Sequence, residues 1–237
     1  MPTYSNFTLY SYWRSSSSWR VRAKLASLGI SYSYVGRHLV KGEQFDEKYS
    51  SEQNLLQQVP ALTFEDEAGA VHTLTQSLAM LRFLESAYPS PGPELSPVDV
   101  AFDWQLSEVI NSGIQPLQNF STMSTLTKDS DGALDGRAFG TAAIVKGLAQ
   151  LEALVAVCYA EAPAEEEGES DAFCLGKGAH PHPTNADFCL MPQLYNVARF
   201  NIDVGKDYPA LARVKRSIEK HEWLVASAPD KQPDAVL

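Results

Sequence analysis

The sequence predicts an α/β domain built on a four-stranded mixed sheet, followed by an all-helical domain. Residues 1–88 alternate strand-like and helical segments, whereas residues 98–237 show only helical periodicity. Between them, residues 89–97 read PSPGPELSP, and four prolines among turn-forming residues are typical of a linker. These observations predict two domains joined at residues 89–97.

The first three elements of the N-terminal domain form a predicted β-α-β unit. FTLYSYW, residues 7–13, is rich in aromatic residues and favours a strand. Apolar residues at i, i+4 and i+7 from Val21, ending at Gly29, indicate a helix. SYSYVGRHL, residues 31–39, alternates as a second strand does, and the helix between the two strands predicts a parallel crossover connection.

A hairpin and a helix complete the predicted domain. In QQVPALTFEDEAGAVHTL, two strand-like runs flank EDEAG, a turn with its glycine at Gly69. Ser77 then begins the apolar helix SLAMLRFLESAY, which ends before Pro89. The order of these elements is the thioredoxin-like arrangement, with helices packed on a mixed sheet.

Helical spacing of apolar residues continues through the second half of the chain. Thr184 and Asp187 have the spacing of a capping box, which predicts a helix start and explains both residues as a folding device. The predicted buried faces contain Phe102, Leu106, Val109, Ile110 and Gly113; Ile144, Leu148, Leu151, Val155 and Cys158; Phe188, Met191, Leu194 and Ala198; and Leu211, Val214 and Ile218.

Composition excludes several function classes. The net charge of −10 argues against general nucleic-acid binding, which needs clustered Lys and Arg. Six acids lie in EAPAEEEGESD, residues 161–171, which we interpret as a solvated loop, with an acidic docking segment as the alternative. Cys158, Cys174 and Cys189 form no C-x-x-C pair, so no disulfide framework or dithiol centre is predicted.

The sequence predicts neither a membrane-spanning segment nor a secretory signal. We find no run of about eighteen apolar residues, and MPTYSNFTLY lacks the basic flank and apolar centre of a secretory signal. We therefore expect a cytoplasmic protein without a membrane partner. His180 and His182 lie between prolines without further ligands at suitable spacing, so no metal site is predicted.

Five motifs occur in a characteristic order: SSSSWRVR at residues 15–22, QVP at 58–60, QS at 76–77, GIQPLQN at 113–119 and NADFCLMPQ at 185–193. Together they resemble the zeta-class glutathione transferases, which include maleylacetoacetate isomerase. The resemblance covers nearly the whole chain and implies the glutathione-transferase fold. The chain departs from the family pattern in two places.

The first departure is Ser17, which stands where the family motif usually has cysteine. The second is the segment 161–183, which is longer than the corresponding family connection.

The serine run has two interpretations. Serine needs a positioned base to act as a nucleophile, and no histidine lies in the N-terminal strand–helix unit. By itself the run fits an ordinary helix cap. The resemblance implies that it activates the thiol of bound glutathione instead, with Ser15 as the main donor to the thiolate. Ser16 and the backbone of Ser17, Ser18 and Trp19 would lie near the sulfur.

The resemblance also implies the rest of the glutathione site. Val59, before a cis Pro60, would pair its backbone with the cysteinyl part, while Gln76 and Ser77 would hold the γ-glutamyl carboxylate. Each also has a simpler interpretation, as a proline that begins a strand and as a helix cap. The remaining family-matched ligands are Gln44 at the glycine end, and Gln115, Asn119, Phe120 and Ser121 in the helical domain.

Several arginines are candidate partners of a substrate carboxylate or enolate. Arg14 and Arg20 are assigned this role by a local excess of positive charge, and Arg199 by its match to the family. Arg20 is also placed at the glutathione site. Arg22 and Lys24 lie on the same helix as Arg20, and we interpret them as solvated.

The resemblance implies a homodimer that isomerises maleylacetoacetate to fumarylacetoacetate with glutathione, in phenylalanine and tyrosine catabolism. Its substrate would be a small-molecule carboxylate. One alternative is glutathione transfer to small α-halo acids, and another is a glutathione-binding interaction module without turnover. Thiol-disulfide exchange is less favoured, because no cysteine stands at the start of the first helix.

Overall fold

The computed structural model describes residues 3–89, 94–160, 172–176 and 182–236. The chain divides into two compact units, the first formed by residues 1–91 and 220–237 and the second by residues 92–219. The acidic stretch at 161–171, His180 and residues 90–93 of the predicted linker lie outside the described residues.

The first unit contains the predicted four-stranded mixed sheet. Its strands are β1 (Ser5–Ser11), β2 (Ser33–Gly36), β3 (Ala61–Glu65) and β4 (Val71–Thr75). They lie in the order β2-β1-β3-β4, with β1 parallel to β2 and antiparallel to β3, and with β3 antiparallel to β4. The second strand is shorter than predicted, because at Gly36 the chain leaves the sheet for a 3-10 segment.

The strand register brings several chain segments to the same edge of the sheet. Tyr10, at the end of β1, pairs with Ala61 at the start of β3, and Ala61 pairs with Thr75 at the end of β4. The end of β2 lies at this edge too, because Ser11 pairs with Gly36. We call this the site edge; the segments that follow β1, β2 and β4 and precede β3 all begin or end there.

Three helices belong to the N-terminal part of this unit: α1 (Ser16–Ser27), α2 (Glu47–Glu52) and α3 (Ser77–Ala87). The inner faces of α1 and α3 pack with the sheet into one core of Phe7, Leu9, Val21, Leu25, Leu62, Phe64, Met80 and Leu84. Helix α3 begins at Ser77, as predicted, and Gln76 occupies its N-cap position.

The second unit is helical, as predicted. It contains α4 (Pro97–Glu108), α5 (Phe120–Asp129), α6 (Gly136–Ala160), α7 (Asn185–Val197), α8 (Val204–Asp207) and α9 (Pro209–Ile218). A π-helical segment, Val109–Ile114, follows α4 and was not predicted. Gly113 and Ala198 are exposed, contrary to the predicted buried faces, because they lie in this segment and in a 3-10 turn after α7.

Helix α6 corrects one expectation about composition. Within the described residues, its stretch Gly136–Tyr159 is long and apolar enough to cross a membrane by length and composition, with 28% of the window buried. The stretch is not an unbroken apolar run, because Lys146, Gln150 and Glu152 interrupt it. Ile144, Leu148, Leu151 and Val155 of its predicted face are buried in the second unit.

The C-terminal segment packs with the first unit, so the helical unit ends at Glu219 and not at residue 237 as predicted. Helix α10 (Glu222–Ser227) lies against α1. Trp19 Nε1 donates to Ser227 Oγ at 2.9 Å, and Arg22 Nε donates to the Ser227 carbonyl at 3.1 Å. These two residues of α1 therefore anchor α10.

The expectation that Arg22 and Lys24 are solvated is wrong, since both are buried. The Arg22 guanidinium also donates to Ser11 Oγ at 3.1 Å and to the Trp13 carbonyl at 3.0 Å. Burial lowers the pKa of Arg22 to about 10, with nearby tyrosines and Asp234 acting in the opposite direction. The docking of α10 covers a helix face that the sequence pattern presents as polar.

Candidate active site

Ser15 lies where the chain leaves β1 at the site edge and enters α1. It is the N-cap of α1, and its Oγ accepts a hydrogen bond from Ser18 N at 3.2 Å. A hydroxyl that accepts one hydrogen bond still has its own proton to donate. Ser15 can therefore cap the helix and donate to a ligand, so the two interpretations of the serine run are compatible.

The other residues of the run differ in what they can offer. Ser18 N is bonded to Ser15 Oγ, and Trp19 N donates to the Ser15 carbonyl at 2.9 Å. The N–H groups of Ser16 and Ser17 have no intrahelical acceptor, because they lie in the first turn. The N–H groups of Ser18 and Trp19 are thus used at the start of the helix, and those of Ser16 and Ser17 are the ones that can point toward a ligand.

Val59 reaches the site edge from the other side, just before β3. The Val59–Pro60 peptide bond is cis. The carbonyl of Gln58, immediately before it, accepts hydrogen bonds from the Tyr49 hydroxyl and from Asn54 Nδ2. These two anchors fix the segment that presents Val59, and the sequence pattern gave no sign of them.

Gln76 and Ser77 connect β4 to α3 at the same edge. Gln76 is exposed and has a φ of 69°, in a region where non-glycine residues are strained by about 1–3 kcal/mol. Such strain concentrates at functional sites. Ser77 is buried, and its Oγ accepts from Arg20 Nη1 at 3.1 Å. The structure thus joins two residues that the sequence predicts separately.

Arg20 does not occupy the position predicted for it. Its side chain has no exposed surface, and its guanidinium contacts Ser77 inside the protein. The prediction that Arg20 contacts a substrate carboxylate or glutathione directly is therefore corrected, because its side chain lies behind Ser77.

Arg14, in contrast, is exposed, and its guanidinium carbon lies 5.3 Å from the centre of the Trp13 ring.

Further buried polar atoms lie in the segments that follow β1 and β2. Gln44, in the 3-10 turn Glu43–Phe45, has a buried Oε1 without a hydrogen-bond partner among the described residues. The same holds for His38 Nδ1 and for Trp13 Nε1. Buried polar atoms are normally hydrogen-bonded, and exceptions often mark the place of a ligand or water. Of the three, only Gln44 was predicted from the sequence.

The remaining predicted ligands lie in the second unit. Gln115 is half-buried at the end of the π-helical segment, whereas Asn119, Phe120 and Ser121 are exposed at the start of α5. Arg199 is exposed, and its carbonyl accepts from Arg137 Nη2 at 2.6 Å.

Ser121 lines a cavity of about 610 Å³. The cavity is bordered by Leu117, Ser121, Thr122, Thr125, Leu126, Asp129, Ser130, Leu134 and Phe139.

Asp187 has the structural role predicted for it. It is completely buried in the capping box of α7, where its carboxylate accepts from Thr184 N at 2.8 Å and from Cys174 N at 2.7 Å. Burial raises the pKa of Asp187 to about 6, against the opposing effect of these hydrogen bonds. Among the described residues, no cluster of three or more His, Cys, Asp or Glu side chains could hold a metal ion.

The geometry of the site edge suits an anionic, extended ligand. The first turns of α1 and α3 both lie there, and helix N-termini favour negative charge through their free N–H groups and dipoles. Val59 lies ahead of the strand pairing, which begins at Ala61. A peptide that carries a thiol and carboxylates matches these features.

Comparison with known proteins decides the family. Residues 5–86 match the N-terminal domain of glutathione S-transferases. Maleylacetoacetate isomerase of Dictyostelium discoideum is 34% identical over 236 residues, which cover 98% of this chain and 98% of that protein. The chain belongs to the zeta-class glutathione transferase family. This result confirms the resemblance on which the predicted fold and ligand depend.

Two solved structures show what zeta-class relatives bind. Both are maleylacetoacetate isomerase from Anaeromyxobacter dehalogenans 2CP-1, 36% identical, with TM-scores of 0.80 and coverage of 100% of both chains. One contains glutathione in the active site, and the other contains dicarboxyethyl glutathione and citrate. The fold of this zeta-class chain is therefore one that holds glutathione in close relatives.

Proposed function

We propose that this protein is a glutathione-dependent isomerase that converts maleylacetoacetate into fumarylacetoacetate. The observation that carries the proposal is the strand register, which brings the start of α1, the Val59–Pro60 segment and the start of α3 to one edge of the sheet. The family supports the same reaction, because full-length relatives are named maleylacetoacetate isomerases.

The residues at the site edge fit glutathione as the cofactor. Ser15 would donate its hydroxyl proton to the sulfur, Val59 would pair with the cysteinyl backbone, and Ser77 would face the γ-glutamyl carboxylate. When bound, glutathione supplies a thiolate nucleophile for reversible addition to the cis double bond. A free thiol has a pKa of about 8.5, and a helix N-terminus lowers it by one to several units.

The protein's own groups explain how the thiol would be kept anionic at neutral pH. The N–H groups of Ser16 and Ser17 and the positive end of α1 stabilise negative charge at this point. Ser15 adds a hydroxyl donor. Arg14 is the exposed cation nearest in sequence to these donors, and we propose that it attracts a carboxylate of the substrate.

The test is a spectrophotometric assay with maleylacetoacetate, with and without glutathione. The expected result is cis–trans conversion that requires glutathione but does not consume it. Stoichiometric loss of glutathione with α-halo acids, without isomerisation, would favour the transferase function instead. Binding of glutathione without turnover of either substrate would leave only an interaction module.

We further propose that the protein acts in phenylalanine and tyrosine catabolism, as a cytoplasmic homodimer without a membrane or nucleic-acid partner. The proposed substrate supports the pathway, and the net charge of −10 argues against nucleic acid. The dimer rests on the family resemblance. Light scattering of the purified protein at micromolar concentration tests it, and a mass near the 26.0 kDa of one chain would contradict it.

A further inference from the structure

Arg20 is a fully buried cation directly behind the proposed glutathione site. It lies on the second turn of α1 with no exposed surface, and its Nη1 donates to Ser77 Oγ at 3.1 Å. Ser77 is the first residue of α3, a helix of 11 residues whose N-terminus lies at the site edge. This contact links the two helices whose first turns form the site.

The chemistry of the pair determines the direction of the hydrogen bond. A guanidinium has only donors, so Ser77 must offer its oxygen to Arg20. The hydroxyl has one proton, and this proton must therefore point away from Arg20. Among the described residues, the Ser77 hydroxyl donates to no acceptor. A carboxylate, which only accepts hydrogen bonds, is the natural partner on the other side.

We propose that Arg20 is a positioning residue that sets the affinity for glutathione by turning the Ser77 hydroxyl toward the ligand's γ-glutamyl carboxylate. The inference rests on the proposed function, because the ligand is the glutathione of that site. The buried guanidinium polarises the hydroxyl through this hydrogen bond. Arg20 itself touches neither the sulfur nor the substrate double bond.

Steady-state kinetics and calorimetry with glutathione test the proposal on Arg20→Met, Ser77→Ala and the double variant. Each single change is expected to raise the KM and Kd for glutathione by about 10-fold to 100-fold, as for a lost charge-assisted hydrogen bond. At saturating glutathione, kcat should change by less than about 3-fold. The double variant should bind glutathione no more weakly than the weaker-binding single variant, because both changes remove the same hydrogen-bonded pair.

Arg22→Met is the matched control. Arg22 is equally buried on the same helix but bonds to Ser11, Trp13 and Ser227, not to Ser77. Arg22→Met should lower thermal stability. When Ser77→Ala is added to Arg22→Met, it should weaken glutathione binding as much as it does in the wild type. Arg20→Lys, which keeps the charge, should restore part of the affinity lost in Arg20→Met. Equal affinities in wild type and a folded Arg20→Met would overturn the proposal.

A ligand analogue covers the case in which Arg20→Met does not fold. In this analogue, hydrogen replaces the γ-glutamyl α-carboxylate of glutathione. Ser77→Ala should weaken glutathione binding by about 10-fold or more but should change analogue binding by less than about 2-fold. Equal losses for both ligands would refute the assigned contact. If the wild type binds no glutathione, the proposed function fails, whereas wild-type binding with an insensitive Ser77→Ala rejects this inference alone.

Discussion

At the scale of single residues, Ser15 performs two tasks with one hydroxyl group. Its oxygen accepts from Ser18 N and so satisfies a donor in the first turn of α1. Its proton remains for a ligand. Changing this residue should therefore affect both helix stability and thiol chemistry, and the two effects can be separated because only the second depends on bound glutathione.

We predict that Ser15→Ala raises the thiol pKa of bound glutathione by about 1–2 units, because a charge-assisted hydrogen bond of about 1.5–3 kcal/mol is lost. Turnover at pH 7 should fall by about 10-fold to 100-fold. Ultraviolet titration of the thiolate in the complex measures the pKa. Ser27→Ala is the control, since that hydroxyl bonds to the Lys24 carbonyl at the other end of α1. An unaltered thiol pKa would remove Ser15 from the mechanism.

At the scale of elements, the start of α7 contains two buried carboxylates. Asp187 accepts from the Thr184 and Cys174 backbone, and Asp103 of α4 accepts from Ala186 N at 2.7 Å. Together they satisfy N–H groups of the first turn and of the segment before it. The short contacts make α7 a fixed element, but burial also makes the Asp187 charge costly.

The raised pKa of Asp187 predicts a dependence of stability on pH. The unfolded value is about 3.9 and the folded value is about 6, so the folded state binds the proton more tightly. Protonation of Asp187 therefore makes its full contribution to the free energy of unfolding below about pH 4, and this contribution is lost as pH rises through 6. The loss amounts to about 3 kcal/mol at most, from 1.36 kcal/mol per pKa unit.

Urea unfolding of wild type and Asp187→Asn between pH 4 and 7 checks this dependence. The variant should be less stable at pH 4, because the amide cannot accept from both Thr184 N and Cys174 N with its two polar atoms. Its deficit should shrink as pH rises. A deficit that is constant across this pH range would show that Asp187 does not titrate there.

Glycines on α6 allow a close approach that predicts a steric effect. A Cβ added at Gly136 would lie 1.9 Å from the Met123 carbonyl oxygen of α5, a backbone atom that cannot rotate away. Gly136→Ala should therefore cost about 3 kcal/mol, the upper end of the usual cost of overpacking. Gly113→Ala is the control, since nothing lies within 4 Å of its added Cβ. Equal unfolding free energies for the two variants would contradict this packing.

At the scale of the whole molecule, the sequence predicts the elements better than their partners. The periodicity of apolar residues predicts the four strands and most of the helices, because the burial pattern of an element depends on residues that are close together in the sequence. The serine run, Val59 and Ser77 could be proposed as site residues because they belong to contiguous motifs. The Arg20–Ser77 contact was not, since it joins residues 57 positions apart.

Burial by a distant segment explains the larger errors. Arg22 looks solvated in α1 because its sequence neighbours do not reveal that α10 packs on this helix. The C-terminal residues likewise have an ordinary helical pattern, which gives no hint that they belong with the first unit. Only long-range contacts decide such questions, and a single sequence does not display them.

The C-terminal tail yields the last prediction, because its contacts close the first unit. Asp234 accepts from Trp13 N at 3.2 Å and from the Tyr34 hydroxyl at 2.6 Å, and so links the tail to β2 and to the segment after β1. Asp234→Ala leaves both donors without this acceptor and should cost about 2–3 kcal/mol. Asp230→Ala should change stability by less than about 0.5 kcal/mol, because the exposed Asp230 pairs with Lys231 at the surface.

Thermal unfolding of both variants, followed by near-ultraviolet circular dichroism, measures the difference. Removal of residues 220–237 should have a larger effect than Asp234→Ala, because it also exposes Trp19 and Arg22 of α1. The expected result is that residues 1–91 do not form a stable unit without the tail. If the truncated chain unfolds at the wild-type temperature, α10 does not stabilise the first unit.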